Sequence, residues 1–202
     1  MTTDTALQFI AVTNRHLAGP DFLGQIEKIA AAGDDAVVLR EKDMAADAYK
    51  ELSIQVLEIC RHYDTTCILH HFSQFALDLT DIFQCSLVEV QKDPSLPEQF
   101  PLLGVSIHSP EEGREAQQLG ASYVVAGHVF TTACKPGLPP RGLPFLRQVC
   151  VATSLPVYAI GGITPRTLAS LGTVPIQGVC IMSGFMTCRD PLLYFQQLRR
   201  SL

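Results

Sequence analysis

The chain has 202 residues, 47% of them hydrophobic, and carries a net charge of −5 at pH 7. That length suits a single domain with a substantial core. The negative balance argues against a nucleic-acid or anionic-membrane partner, since both want a basic face. No apolar run approaches the roughly 18 residues needed to span a bilayer. The N-terminus lacks the basic-then-apolar pattern of a signal peptide, so the expected location is cytoplasmic. Seven cysteines are scattered without a CxxC pair. They read as reduced thiols packed as small hydrophobes, with Cys134 alone in a stretch polar enough to be exposed.

Taken in order, apolar β-branched runs predict strands over 8–12, 36–40, 66–70, 86–90, 103–107, 122–126, 156–160 and 177–181. They are apolar throughout, as parallel strands buried on both faces should be. Helical patterns lie between them. Asp21 is the expected cap of a helix with an apolar stripe of Phe22, Leu23, Ile26, Ile29 and Ala30. Tyr49, Leu52, Val56 and Ile59 make the next stripe. Ser109-Pro110-Glu111-Glu112 reads as a capping box with Pro at the first helical position, and Gly120 closes that helix. Thr164-Pro165 and Asp190-Pro191 repeat the cap-then-Pro signature. In the fourth unit, Pro94 to Pro101 leaves no room for a full helix.

Strand followed by helix eight times over predicts a single-domain (β/α)₈ TIM barrel covering residues 1–202. Eight such units with short connections need roughly 190 residues. An open doubly wound sheet would also alternate, but its Gly-rich first turn is missing. Val12 is followed by Thr13-Asn14-Arg15-His16.

In a barrel, functional groups collect where strands end. That filter nominates Arg40 with Lys42, His70 with His71, Gln91 with Asp93, Ser106 with His108, His128, Gly161 with Gly162, and Ser183 with Gly184. Ile160-Gly161-Gly162-Ile163 and Ile181-Met182-Ser183-Gly184 follow strands seven and eight, where backbone N–H groups of many barrels hold a phosphate. A tight turn alone would explain Gly161-Gly162, but two such loops side by side favour phosphate. Arg40, Lys42, Lys135 and Arg141 put four positive groups around that phosphate, which suits a substrate carrying a second anionic group as well; a solvated charge cluster is the blander reading of the first pair. His128 sits at a strand exit, and imidazole titrates near neutral pH, so it is the candidate acid and base. The histidines lack a spacing that presents two imidazoles to one ion, which leaves a metal-dependent hydrolase as a weak alternative.

At these residues the chain resembles the thiamine phosphate synthase / TenI superfamily of small barrels. The matching stretches are Ala11-Val12-Thr13-Asn14-Arg15, Leu39-Arg40-Glu41-Lys42-Asp43, Gly104-Val105-Ser106-Ile107-His108-Ser109, Lys135-Pro136-Gly137, Ala159-Ile160-Gly161-Gly162-Ile163-Thr164-Pro165 and Met182-Ser183-Gly184. The resemblance implies two activities. Thiamine phosphate synthase joins hydroxymethylpyrimidine diphosphate to a thiazole phosphate, releasing pyrophosphate with Mg²⁺. TenI-type thiazole tautomerase aromatises a carboxythiazole phosphate by moving a proton, with no metal.

The synthase pattern implies Arg40, Lys42, Ser106 and Lys135 for the diphosphate, and Asp93 as a Mg²⁺ ligand. It implies the Thr132 to Cys134 loop, with the Gly161 and Ser183 region, for the thiazole phosphate. Where the synthase has Asn-Asp-Arg after strand three, this chain reads His70-His71-Phe72, and the synthase's strand-two glutamine is Val38. His128 stands where the synthase usually has Pro and the tautomerase has its catalytic histidine. The resemblance therefore implies the tautomerase first: an isomerase with His128 catalytic, phosphate held by Gly161, Gly162, Met182, Ser183 and Gly184, and no cofactor. The Mg²⁺-dependent transferase and a non-catalytic, regulatory binder of thiazole phosphate are the alternatives. The partner in each case is a small thiazole phosphate, and family members often self-associate as homo-oligomers.

Overall fold

The computed structural model describes residues 7–202. Eight parallel strands pair in sequence order and close, β8 returning to β1. They are β1 (Gln8–Val12), β2 (Ala36–Leu39), β3 (Thr66–His70), β4 (Ile82–Ser86), β5 (Leu102–Ile107), β6 (Tyr123–Gly127), β7 (Val157–Ile160) and β8 (Gly178–Ile181). Helices follow each strand: α1 (Arg15–Ala18) and α2 (Phe22–Ala31), α3 (Ala46–His62), α4 (Ser73–Ala76), α5 (Leu87–Lys92) and α6 (Leu96–Gln99), α7 (Pro110–Gln118), α8 (Gly142–Ala152), α9 (Pro165–Leu168), and α10 (Ser183–Thr187) with α11 (Pro191–Arg199). The expected (β/α)₈ barrel is the fold observed.

Because alternate residues of a strand face opposite ways, each strand builds two cores. Ile10, Val12, Val38, Ile68, Tyr123, Val125 and Cys180 fill the barrel interior. Their neighbours Phe9, Ala11, Val37, Leu39, Leu69, Val124 and Val179 pack outward, in one core with Ile26, Val56, Leu146 and Phe195 of the helices. Burying each such side chain contributes about 1.5–3 kcal/mol. Inside, the Tyr123 and Tyr158 rings meet edge to face with centroids 5.4 Å apart. Gly104 and Gly178 make room for them, since a Cβ at either would collide with the facing tyrosine ring.

Helix starts follow local chemistry. Ser109 and Asp190 accept the N–H groups of Glu112 and Leu193, each with Pro at the first helical turn. Asp21 makes no such bond, and its carboxylate instead pairs with Lys28 at 3.6 Å. Glu112 also departs from the expected capping box, reaching back to the N–H of His108. The main correction lies in the fourth unit. The stretch expected as a strand over 86–90 is the start of α5, and the strand lies four residues earlier. Ser86 and Glu89 form a reciprocal capping box there, which satisfies helical N–H groups and overrides the apolar, β-branched look of Leu87, Val88 and Val90.

Candidate active site

A cavity of about 480 Å³ opens at the carboxyl ends of the strands. Its apolar surfaces include Val12, Val125, Ile160, Ile181 and Cys180. Its polar residues fall on two sides. Arg40, Lys42, His70, Gln84, Ser86 and Ser106 come from β2 to β5 and their ends, while Gly161, Gly162, Met182 and Ser183 follow β7 and β8. The loop after β6 supplies His128, Thr132, Cys134 and Lys135.

The Arg40-Glu41-Lys42-Asp43 stretch is sorted by alternation. Arg40 and Lys42 line the cavity. Glu41 is buried and accepts from the Thr13 hydroxyl, the Arg15 backbone N–H and the Arg15 guanidinium, at 2.7, 3.0 and 3.1 Å. Asp43 takes two further bonds from the same guanidinium. Thus Thr13 and Arg15, from one matching stretch, lock the carboxylates of the other and leave its cations facing the site. Sequence reasoning missed this role of Arg15 and Glu41. Burial, with Arg40 next and Lys135 further, pushes the Lys42 ammonium below its ordinary pKa. An anionic ligand would relieve that strain.

Gly161 and Gly162 have φ of +102° and +66°, in the region that favours glycine. The strand that precedes them also anchors the loop after β6. Val129 and Phe130 donate backbone bonds to the carbonyls of Ile160 and Gly161 at 2.9 and 3.0 Å. At the loop's far end, Arg141 and Gly142 donate to the His128 and Val129 carbonyls. The cation expected at Arg141 is therefore a staple: its Nε donates to the Gly127 carbonyl, and its guanidinium lies 5.6 Å from the Phe145 ring centroid. Gly184 does not line the cavity; Tyr194 packs against it so closely that a Cβ would collide with the phenol.

His128 is buried, lines the cavity and leaves Nε2 without a hydrogen-bond partner among the described residues. His70 also lines it, with Nδ1 unpartnered among the described residues. Burial first, then Lys42 and Arg40, lower its pKa to about 3, so its imidazole is neutral. His71 follows with φ of +88° and sets Nδ1 3.4 Å from Glu89. Burial works to raise the Glu89 carboxyl, but bonds from the Ser86 hydroxyl and backbone N–H, with His71, hold it below the usual range. His108 lines the mouth beside Glu112.

Asp93 is absent from the lining. It ends α5 and accepts from the Ser95 N–H and hydroxyl. Gln91 is likewise outside, bonded to Glu115. Both expectations came from placing strand four too late. The true end, Ser86, lines the cavity instead. Among the described residues, no three of His, Cys, Asp and Glu gather as a metal-holding group. All seven cysteines are free, and Cys134 is the exposed one. No helix among the described residues is long and apolar enough to cross a membrane.

A closed barrel with a cationic side and a glycine-lined side at its mouth defines a class of proteins suited to phosphorylated small molecules. Residues 9–185 match the family model described as thiamine monophosphate synthase. A protein of Desulfitobacterium hafniense named thiamine-phosphate synthase is 31% identical over 186 residues, covering 89% of each chain. Thiamine-phosphate synthase 2 of Streptococcus pneumoniae is 30% identical over 191 residues, covering 92% of this chain and 90% of that one. The structure of thiamine phosphate pyrophosphorylase from Pyrococcus furiosus superposes with a TM-score of 0.81 at 25% identity, covering 96% and 95% of the two chains. The chain belongs to the thiamine phosphate synthase / TenI family.

These relatives overturn the expectation of an isomerase. The similar proteins bear the name of a synthase, so the tautomerase assignment gives way to the transferase. Arg40, Lys42 and Lys135 all line the cavity.

Proposed function

We propose that the protein is a thiamine-phosphate-synthase-type transferase, joining hydroxymethylpyrimidine diphosphate to a thiazole phosphate. One observation carries the reading: cations and glycine loops occupy different sides of a single cavity with apolar walls. Such a slot suits two anionic groups borne by two rings. Gly161, Gly162, Met182 and Ser183 would hold the thiazole phosphate, with Thr132 and Cys134 beside it. Arg40, Lys42, Ser106 and Lys135 would hold the diphosphate. In the reaction the thiazole nitrogen bonds to the pyrimidine methylene carbon, the carbon–oxygen bond to the diphosphate breaks, and pyrophosphate leaves with that electron pair. The cations stabilise the charge that grows on the leaving group. Val12, Val125 and Ile160 exclude water from the rings. His128 belongs to the wall between the two halves, as a substrate contact.

The synthase resemblance brings Mg²⁺ with it, but Asp93, the residue expected for the ion, does not fit, and neither does nearby Glu89. Mg²⁺ prefers carboxylate and water oxygens. Asp93 is turned into its own turn with Ser95, and Glu89 is engaged by Ser86 and His71. The test is mass detection of the joined product when both half-substrates are supplied. Product is expected, and its absence under conditions where both halves bind would overturn the reading.

A further inference from the structure

The β1–β2 ladder has its last register pair at Val12 and Val38. One residue on, Thr13 extends it with unlike groups. Its backbone N–H donates to the Val38 carbonyl at 2.9 Å, and its hydroxyl accepts the Arg40 N–H at 2.9 Å, in place of a main-chain carbonyl. A hydroxyl that accepts still has a proton to give, and Thr13 gives it to Glu41 Oε1 at 2.7 Å. The Arg15 N–H and guanidinium complete that carboxylate, and the same guanidinium holds Asp43 with two bonds. Thr13 and Glu41 are 0% and 2% exposed. Thr13, Arg15 and Glu41 are all absent from the cavity lining, which takes Arg40 and Lys42 instead.

A carboxylate between two cations is an unfavourable neighbour for an anion. By Coulomb's law alone, Glu41 weakens whatever negative group Arg40 and Lys42 bind. It is also costly to bury unless it is paired and bonded. What the carboxylate contributes is geometry. It ties the loop after β2 to the loop after β1, so the backbone on both sides of Glu41 is held and Arg40 and Lys42 emerge on the cavity side. Long cationic side chains lose rotamer freedom when they engage a ligand. Stems that start from a fixed backbone leave less to be ordered on binding.

We propose that Glu41 and Thr13 are positioning residues of the diphosphate half: buried groups that touch no ligand and tighten its binding by fixing Arg40 and Lys42. An anion here helps to bind an anion. The inference rests on the transferase reading for the identity of the ligand, while the clamp between the two loops stands on its own hydrogen bonds.

The experiment is calorimetric titration of wild type, Glu41→Gln, Thr13→Val and Thr13→Ser with inorganic pyrophosphate and with the thiazole phosphate. The sign of the Glu41→Gln effect is decisive. Loss of a negative charge acting through the field alone would tighten pyrophosphate; loss of the clamp should weaken it about 5- to 30-fold. Thr13→Val changes no charge and should weaken pyrophosphate about 10-fold, while Thr13→Ser keeps the hydroxyl and should stay within about twofold of wild type. Thiazole phosphate affinity should stay within about twofold in every variant, a selectivity that general loosening would not give. In an Arg40→Met background, Thr13→Val should cost at most about threefold more, because its main route runs through the Arg40 backbone. Tighter or unchanged pyrophosphate binding in Glu41→Gln, or equal loss for both ligands, would overturn the proposal. Thr13→Val carries the test if the glutamine variant does not fold; no loss there, or a loss that Thr13→Ser shares, overturns it equally. The selective loss in a protein that forms no joined product would leave the clamp and remove the transferase. A wild type that binds no pyrophosphate would remove both.

Discussion

A Cβ placed on Gly161 would lie closer than 3.0 Å to both the Cβ and the Cα of His128. The loop after β7 and the loop after β6 thus touch backbone to backbone, and the glycine is the contact. Gly161→Ala must also hold a φ of +102°. It is expected to destabilise the fold by about 1–3 kcal/mol, with a melting temperature lower by about 3–10 °C. Phosphate affinity should fall with it. A melting curve unchanged within 1 °C would show that the two loops are not so joined.

Lys42 gives a pH signature. Its ammonium has a pKa below the ordinary 10.5 because of burial and then Arg40. The charged form binds the diphosphate, so affinity should fall as pH rises, beginning at a lower pH than an ordinary lysine would set. Lys42→Met should cost about 10- to 100-fold in pyrophosphate affinity and flatten the pH profile.

Asp93→Asn separates the geometry found from the ligand set expected. Its carboxylate serves the turn to Ser95, so the variant should keep its rate of pyrophosphate release within about threefold and lose at most about 1 kcal/mol of stability. A loss of about 100-fold or more would return Asp93 to the site.

That correction shows what sequence could reach. Strands such as Gln8–Val12, from Phe9 onward, and Ala36–Leu39 are buried on both faces and announce themselves by continuous apolar residues. Strand four does not, because Gln84 interrupts it while the following Leu87, Val88 and Val90 look more strand-like. The deciding signal was short-range: Ser86 and Glu89 at capping-box spacing. Moving the strand end from Val90 to Ser86 takes Gln91 and Asp93 out of the mouth. The glycine loops and the Arg40-Lys42 pair were legible because strand ends and loop composition suffice to place them. Gln84 was not, since it points into the barrel from mid-strand. Its signal was a lone amide between Phe83 and Cys85. The Arg15–Glu41 lock needed two distant stretches to be superposed in space.

Asp34, away from the cavity, predicts a stability profile. It is 5% exposed, and neither carboxylate oxygen has a partner among the described residues. Burial first, then Asp35, raises its pKa from 3.8 to about 8. The folded state therefore holds a proton that the unfolded chain releases between these values. This residue's contribution to stability is full below pH 3.8 and is lost as pH rises to about 8. Asp34→Asn should stabilise the protein at pH 8 by about 1–3 kcal/mol and much less at pH 4, read by denaturant unfolding at both values. An equal effect at the two pH values would contradict this.

The transferase itself is tested most directly by following pyrophosphate release with each half-substrate alone and with both together. Release that requires both the pyrimidine diphosphate and the thiazole phosphate, and collapses in Lys42→Met, is the predicted result. Bound substrates with no pyrophosphate formed, or release indifferent to the thiazole phosphate, would contradict it.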